Sequence, residues 1–300
     1  MRFADYRRGC MILSDGAWGT EFQRLGAQLG ACTDEWNLTK PELVRQVADS
    51  YVQAGSRVIL TNSFRANSIS LSHYGLQAEC AAINRAGVKI SRQAAGNSVL
   101  VFASIGPSGK LLLTKDVTPE QLSEAFSQQA QALAVEGPDA ILIETMTDIE
   151  EARIAAAAAL KTRLPVIVSF VFDSGKQKDR TMMGVTPEQV AAAMTSEGVH
   201  AIGANCGLGI RQFIPVCRRL AAATPLPVWI KPNAGLPLMS GGIAKYNTTP
   251  EEFADAAREL RDAGATFLGG CCGTTPAFIR AMSGHSAMQN TAGPAKSSEQ

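Results

Sequence analysis

The chain has 300 residues, 46% of them hydrophobic, and a formal net charge of +1. That is enough apolar material for a large core, and too little net charge for an electrostatic footprint on nucleic acid or an acidic membrane. No apolar run reaches membrane-spanning length, and the opening "MRFADYRRGCMILSDG" arrives at Asp15 too soon to hold a signal-peptide core, so a cytoplasmic protein is expected.

In chain order, short apolar or β-branched runs predict strands at 11–14, 57–61, 99–104, 140–144, 165–170, 201–205, 227–231 and 266–270, each followed by a helical pattern. Strands joined by helices must run parallel, and parallel strands buried on both faces read as continuous apolar runs, as these do. The helix starts Thr118-Pro119-Glu120-Gln121, Thr186-Pro187-Glu188-Gln189 and Thr249-Pro250-Glu251-Glu252 place Thr at the cap, Pro in the first position and Gln or Glu where a capping box closes. Thr147-Asp148-Ile149-Glu150 reads as the same device without proline, and Thr275-Pro276 opens a last helix. Eight βα units in about 285 residues predict a single (β/α)8 TIM-type barrel over 1–283, with an open doubly wound sheet as the alternative. The small, polar segment 284–300 has no periodicity and is predicted to be a disordered tail.

A barrel of this kind carries its active site at the C-terminal ends of the strands. The residues standing there are Asp15 to Thr20, Asn62-Ser63-Phe64, Gly106 to Gly109, Glu144-Thr145, Asn205-Cys206-Gly207 and the Cys271-Cys272 pair. Adjacent thiols are poorly placed for a low-strain disulfide, but two thiolates on one loop can converge on a metal if a third arrives from elsewhere. Cys206, at a nearby strand tip, is that third candidate. Three thiolates at about 2.3 Å would make a soft Zn2+ site with its fourth position open, as a catalytic site requires. The alternative on these residues alone is that all three are small buried hydrophobes. Cys10, Cys32, Cys80 and Cys217 lie in loop or helical patterns and are read as packing, and the odd total of seven cysteines fits a reducing compartment.

Asp15, before a glycine, either holds a turn or faces a ligand. Glu144 ends a buried apolar run, where an unpaired charge is costly and a cationic ligand group would offset the cost. Together the two carboxylates would suit the ammonium of an amino acid, with backbone amides of 16–20 or 106–109 receiving its carboxylate. His73 is read on a loop before a helix and His200 at a strand start on the far end of the barrel, neither as a ligand. Asp148, Glu150 and Glu151 are assigned to a first helical turn, and Lys231, ending the seventh strand near Pro232-Asn233, is a candidate to face the mouth, with no substrate contact assigned. "GPSGK" fails the P-loop spacing, and neither HExxH nor a GxGxxG after the first strand is present.

The pieces "DGAWGTEFQRLG", "TNSFRAN", "SIGPSG", "ILIETMTDIEEA", "GANCG" and "GGCCGTTP", in this order over roughly 11–280, resemble the zinc-dependent homocysteine S-methyltransferases. That family includes the homocysteine-binding module of cobalamin-dependent methionine synthase, betaine–homocysteine methyltransferase and the enzymes that use S-methylmethionine. The resemblance implies that Cys206, Cys271 and Cys272 ligate zinc, that Asp15 and Glu144 lie in the homocysteine pocket with Glu144 near the amino group, and that Asn62 and Asn205 shape the site. Ala17 departs from a second glycine often found there, which would narrow the approach to substrate.

The methyl donor is less explicit. No cobalamin or folate domain and no C-terminal arm like that of the betaine users is recognised, and a sulfonium donor releases an uncharged leaving group without a cofactor. S-methylmethionine or another small onium compound is therefore expected, and a separate corrinoid protein is the alternative partner. Methyl transfer to another thiol, and a non-catalytic barrel holding structural zinc, are the remaining alternatives. The last would need a fourth protein ligand that the sequence does not offer nearby.

Overall fold

The computed structural model describes residues 11–240 and 243–284. Cys10 and residues 285–300, which hold nearly all of the predicted tail, lie outside the described residues.

The strands are β1 (Ile12–Leu13), β2 (Val58–Leu60), β3 (Leu100–Ile105), β4 (Ala140–Met146), β5 (Val166–Phe170), β6 (Ala201–Cys206), β7 (Val228–Pro232), β8 (Leu238–Ser240), β9 (Ile243–Lys245) and β10 (Phe267–Leu268). Eight of them form one parallel sheet in the order β1-β10-β7-β6-β5-β4-β3-β2, while β8 and β9 pair as a separate antiparallel hairpin. The seam is closed by the Arg57 amide donating to Leu13 O at 2.8 Å and the Leu60 amide donating to Asp15 Oδ2 at 2.7 Å. The fold is thus the (β/α)8 barrel and not the open sheet, and the β8–β9 hairpin is an insertion with no counterpart among the predicted elements.

The surrounding helices are α1 (Trp18–Arg24), α2 (Trp36–Thr39), α3 (Pro41–Gln53), α4 (Ser68–Ser72), α5 (Cys80–Ala95), α6 (Pro119–Val135), α7 (Ile149–Leu160), α8 (Pro187–Ser196), α9 (Ile210–Ala223), α10 (Pro250–Asp262) and α11 (Pro276–Gly284). The Thr118, Thr186 and Thr249 capping boxes all form, with both reciprocal bonds present. In α7 the cap is Asp148, which accepts from the Glu150 amide, and not Thr147. The reason is that β4 runs on to Met146, leaving Asp148 as the last extended residue before the helix. His73 stands in the turn between α4 and α5, as expected, and α4 is a short helix started by the Asn67 side chain accepting from the Ser70 amide.

Strand alternation divides the apolar residues into two cores. Ile141 and Ile143 of β4 face outward into the layer shared with the helices, where Ala152, Ala155, Ala156 and Ala159 of α7 are also buried. Ala140 and Leu142 face the barrel interior, which Phe102, Trp229 and Phe267 fill with ring centroids 5.5, 5.7 and 5.9 Å apart. Each such fully buried side chain contributes about 1.5–3 kcal/mol. Space for Trp229 comes from Gly203 on β6, where an added Cβ would lie 2.0 Å from Trp229 O and 2.7 Å from its Cβ. The interior is therefore a packed plug, and chemistry can occur only above it.

Candidate metal centre and substrate site

One step toward the C-terminal ends, the same inward-facing positions become polar: Ser104, Glu144, Ser169, Asn205 and Lys231, all buried, form a floor on the aromatic plug. Above it stand Cys206 at the end of β6 and Cys271-Cys272 just after β10. Their three sulfurs all lie within 4.8 Å of one another, the one such group of potential metal ligands among the described residues.

The backbone that aims these thiols is unusual. Cys206 has φ +66°, the left-handed region, and Gly207 continues it at +67°. For a non-glycine residue that conformation costs on the order of 1–2 kcal/mol and persists only where surrounding bonds enforce it. Here the extension of β7 does so from between the two tips: the Asn233 amide donates to Cys206 O at 3.2 Å, the Cys271 amide to Pro232 O at 2.8 Å and the Ala234 amide to Cys272 O at 2.9 Å. Gly273, at φ +82°, lies against the ring of Tyr246, where any Cβ would come within 2.3 Å.

Hydrogen bonds from Cys271 and Cys272 hold the Cys206 thiol far below its ordinary range, while the same sharing raises Cys271 and Cys272. The three thiols thus compete for the same protons, and a divalent cation is what would let all three ionise. Asn233 adds a second indication. Its side chain bonds Cys206, its Nδ2 donates to Gly207 O at 2.6 Å, and its buried Oδ1 finds no hydrogen-bond partner among the described residues. Three converging thiols beside an unpartnered amide oxygen fit a soft, tetrahedral metal ion.

Asp15 is fully buried and its oxygens are engaged by the protein itself. Lys231 Nζ donates to Oδ1 at 2.5 Å, and Trp18 Nε1 and the Leu60 amide donate to Oδ2 at 2.6 and 2.7 Å. Burial alone would lower the Lys231 ammonium, but Asp15 and Glu144 outweigh it and hold it above the ordinary value. Glu144 accepts from Ser104 Oγ at 2.6 Å through Oε1. Burial pushes its carboxyl up to about 7 in spite of nearby Lys231.

Glu144 and Thr145 sit on a β-bulge: Ile143 pairs Val168 and Met146 pairs Phe170, so two residues of β4 oppose Ser169 alone. Bulges of this kind re-aim side chains next to functional sites. Thr145 adopts φ +66°, which is strained for a β-branched residue, and Asn205 clamps it. Asn205 Oδ1 accepts from the Thr145 amide at 2.9 Å and Ser169 Oγ at 2.7 Å, and its Nδ2 donates to Thr145 Oγ1 at 2.8 Å.

Asn62 is a brace further out, donating to Thr33 O at 2.7 Å and Asn37 Oδ1 at 3.0 Å. Of the amides considered for a substrate carboxylate, Gly106 donates to Phe64 O at 2.8 Å and Ser108 to Glu151 Oε1 at 2.7 Å. His200 is structural, its Nδ1 accepting from the Val166 amide at 3.1 Å.

The structure thus gathers Cys206, Cys271 and Cys272 at one point, and Asp15, Glu144 and Lys231 beneath them; Asn205 braces the latter group and Asn62 stands apart. Sequence reasoning left out four participants. Lys231 carried a signal, being a lone cation in the buried run "VWIKP", which demands a buried partner. Asn233 stood two residues further on. Glu151 was hidden because an acidic first turn already accounts for it. Tyr246, on the unexpected insertion, is half-buried, and burial together with the charge of the thiols pushes it up to about 12.

The fold and site together define a (β/α)8 barrel with three cysteines that could hold a metal ion at its mouth. The sequence profile of the homocysteine S-methyltransferase family matches residues 12–285, and the chain belongs to that family. It is 28% identical over 292 residues to the methionine synthase of Mycobacterium tuberculosis and 28% identical over 286 residues to that of Mycobacterium leprae, in each case over 90% of this chain and 24% of the relative. The chain therefore spans about a quarter of the length of these curated relatives. Among solved structures, the metallated form of the homocysteine methyltransferase MmuM from Escherichia coli superposes with TM-score 0.76 at 26% identity, covering 91% of this chain and 95% of that one. No helix among the described residues is long and apolar enough to cross a membrane.

Proposed function

We propose that this chain is a zinc-dependent S-methyltransferase that transfers a methyl group to a small thiol, homocysteine being the acceptor that the family name supplies, with methionine as product. The observation that carries the reading is the convergence of Cys206, Cys271 and Cys272 above a buried carboxylate floor. Zinc held by these three thiolates would supply a fourth position at which a substrate thiol is deprotonated at neutral pH yet stays nucleophilic. The chain's own residues do the rest. Asn233 and the β7 extension fix the ligand loops, the Asn205 clamp fixes the bulge that presents Glu144, and Glu144 faces the acceptor's polar end. The aromatic plug closes the site from below and excludes water.

For the donor, a small onium compound, S-methylmethionine first, is favoured on leaving-group chemistry. The acceptor sulfur forms the new S–CH3 bond as the donor's C–S bond breaks, and the sulfonium leaves as a neutral thioether. A second reading, a methyl donor carried by a separate corrinoid protein, is favoured by a different observation: Leu29, Leu113, Met182 and Leu236 are exposed on the βα loops around the mouth. Apolar side chains in that position suit a macromolecular partner. Action in the cytoplasm is part of the proposal, because free thiols persist in a reducing compartment.

The test is product formation by reduced, zinc-loaded protein given homocysteine with S-methylmethionine, betaine, methylcobalamin or methyltetrahydrofolate, each supplied singly. Methionine with an onium donor supports the leading reading. Methionine with methylcobalamin alone supports the second, and methylation of no thiol by any donor removes both.

A further inference from the structure

The Cys271-Cys272 turn is held from two sides. One is the β7 extension, through the Cys271 amide and Cys272 O; the other is the first loop, residues 15–20. Toward that loop the Gly270 amide donates to Asp15 O at 3.0 Å and the Gly273 amide to Thr20 Oγ1 at 3.0 Å, while the Ala17 amide donates back to Thr274 O at 3.2 Å. Between the two loops stands the tip of Tyr51, a fully buried side chain of α3. Its hydroxyl donates to Ala17 O at 3.0 Å and reaches Thr274 O at 3.4 Å, so one proton is shared by a carbonyl from each loop. Gly16 keeps the space for it: a Cβ there would lie 2.8 Å from the Tyr51 hydroxyl and 3.0 Å from Thr274 Oγ1. The Thr274 hydroxyl in turn donates to Cys271 O at 2.7 Å, so the contacts that start at Tyr51 end on the ligand pair itself.

Two adjacent thiols meet a third from another strand without further ordering only if their turn is already fixed. A turn free to move must be ordered when the metal binds, and that weakens binding. We propose that Tyr51 and Thr20 are positioning residues for the metal centre: by locking the Cys271-Cys272 turn to the first loop, their hydroxyls set how tightly the three thiols hold their ion. The inference rests on the proposed three-thiol zinc site and holds whichever donor or acceptor the chain uses.

The test measures the zinc affinity of reduced, full-length protein by competition with a chromophoric chelator, alongside the melting temperature of the metal-free protein. Tyr51→Phe deletes the hydroxyl and keeps the ring, and Thr20→Val keeps the shape and removes the acceptor. Each should raise the zinc dissociation constant about tenfold, and the zinc concentration giving half-maximal turnover should move by the same factor. Thr20→Ser returns the oxygen and should restore wild-type affinity. Thr224→Val is the control: it removes a hydroxyl bonded to Thr195 Oγ1 at 2.9 Å where α8 and α9 end, away from the mouth, and should lower the melting temperature without changing zinc affinity.

Unchanged zinc affinity in Tyr51→Phe or Thr20→Val overturns the proposal. So does an equal loss in Thr224→Val, which would make the effect one of general stability, or a failure of Thr20→Ser to recover affinity. If Tyr51→Phe does not fold, Thr20→Val and Thr20→Ser decide. Wild-type protein that binds no zinc removes the metal site and this inference with it. The expected shifts in zinc affinity without methyl transfer to any thiol would instead defeat the proposed reaction and leave the Tyr51 and Thr20 assignment standing.

Discussion

Replacing Glu144 with glutamine keeps the shape of the side chain and removes its titration, and burial sets the size of the effect. The carboxyl is raised from 4.5 to about 7, chiefly by desolvation, with Lys231 and the Ser104 hydroxyl opposing the rise. The difference, 7 − 4.5, is about 2.5 units, equivalent to about 3 kcal/mol. In the unfolded chain this group gives up its proton near 4.5, whereas in the folded chain it keeps it until about 7. The folded state thus binds more protons across that interval, so its stability falls as pH rises through it and is level on either side.

Urea unfolding of metal-free, reduced protein at about pH 4.5 and about pH 8 reads this directly. Between those two values the wild type should lose about 3 kcal/mol more than Glu144→Gln, with the variant the more stable of the two at the alkaline end. Parallel losses in the two proteins would refute the reasoning, because they would mean that Glu144 is hydrated or paired as well in the fold as in the unfolded chain.

Two further substitutions probe the support of the site. Gly203→Ala forces a methyl group onto the β7 backbone at Trp229 and should cost about 3 kcal/mol or more, read as a fall in urea midpoint or as insoluble protein. Asn205→Ala strands the Ser169 hydroxyl and the Thr145 amide and should cost about 1–3 kcal/mol while lowering turnover through the released bulge; unchanged turnover would reduce Asn205 to a purely structural role.

The barrel was legible because its strands are buried on both faces and its helices announce themselves. Runs such as Ala140 to Ile143 have no polar position to shift register against, and Thr118, Thr186 and Thr249 form their capping boxes as the pattern requires. The thiol cluster was legible by placement, since a strand tip is the one part of a barrel where a cysteine faces the mouth. What the sequence did not disclose depends on long-range pairing. Nothing near Asp15 says that its partner is Lys231, 216 positions away, and nothing near Thr145 says that Asn205, 60 positions on, will clamp the bulge beside Glu144. The β8–β9 hairpin was missed because three-residue strands lack an apolar run long enough to register.

The central claim is that Cys206, Cys271 and Cys272 hold one zinc ion together. Elemental analysis of protein purified and kept reduced, alongside Cys206→Ser, Cys271→Ser and Cys272→Ser, tests it most directly, with circular dichroism to verify that each variant is folded. About one zinc per chain is expected in the wild type, and its loss, together with turnover, in every one of the three folded variants. Wild-type protein that takes up no zinc even after reconstitution, or a folded variant that retains the full complement, would contradict it.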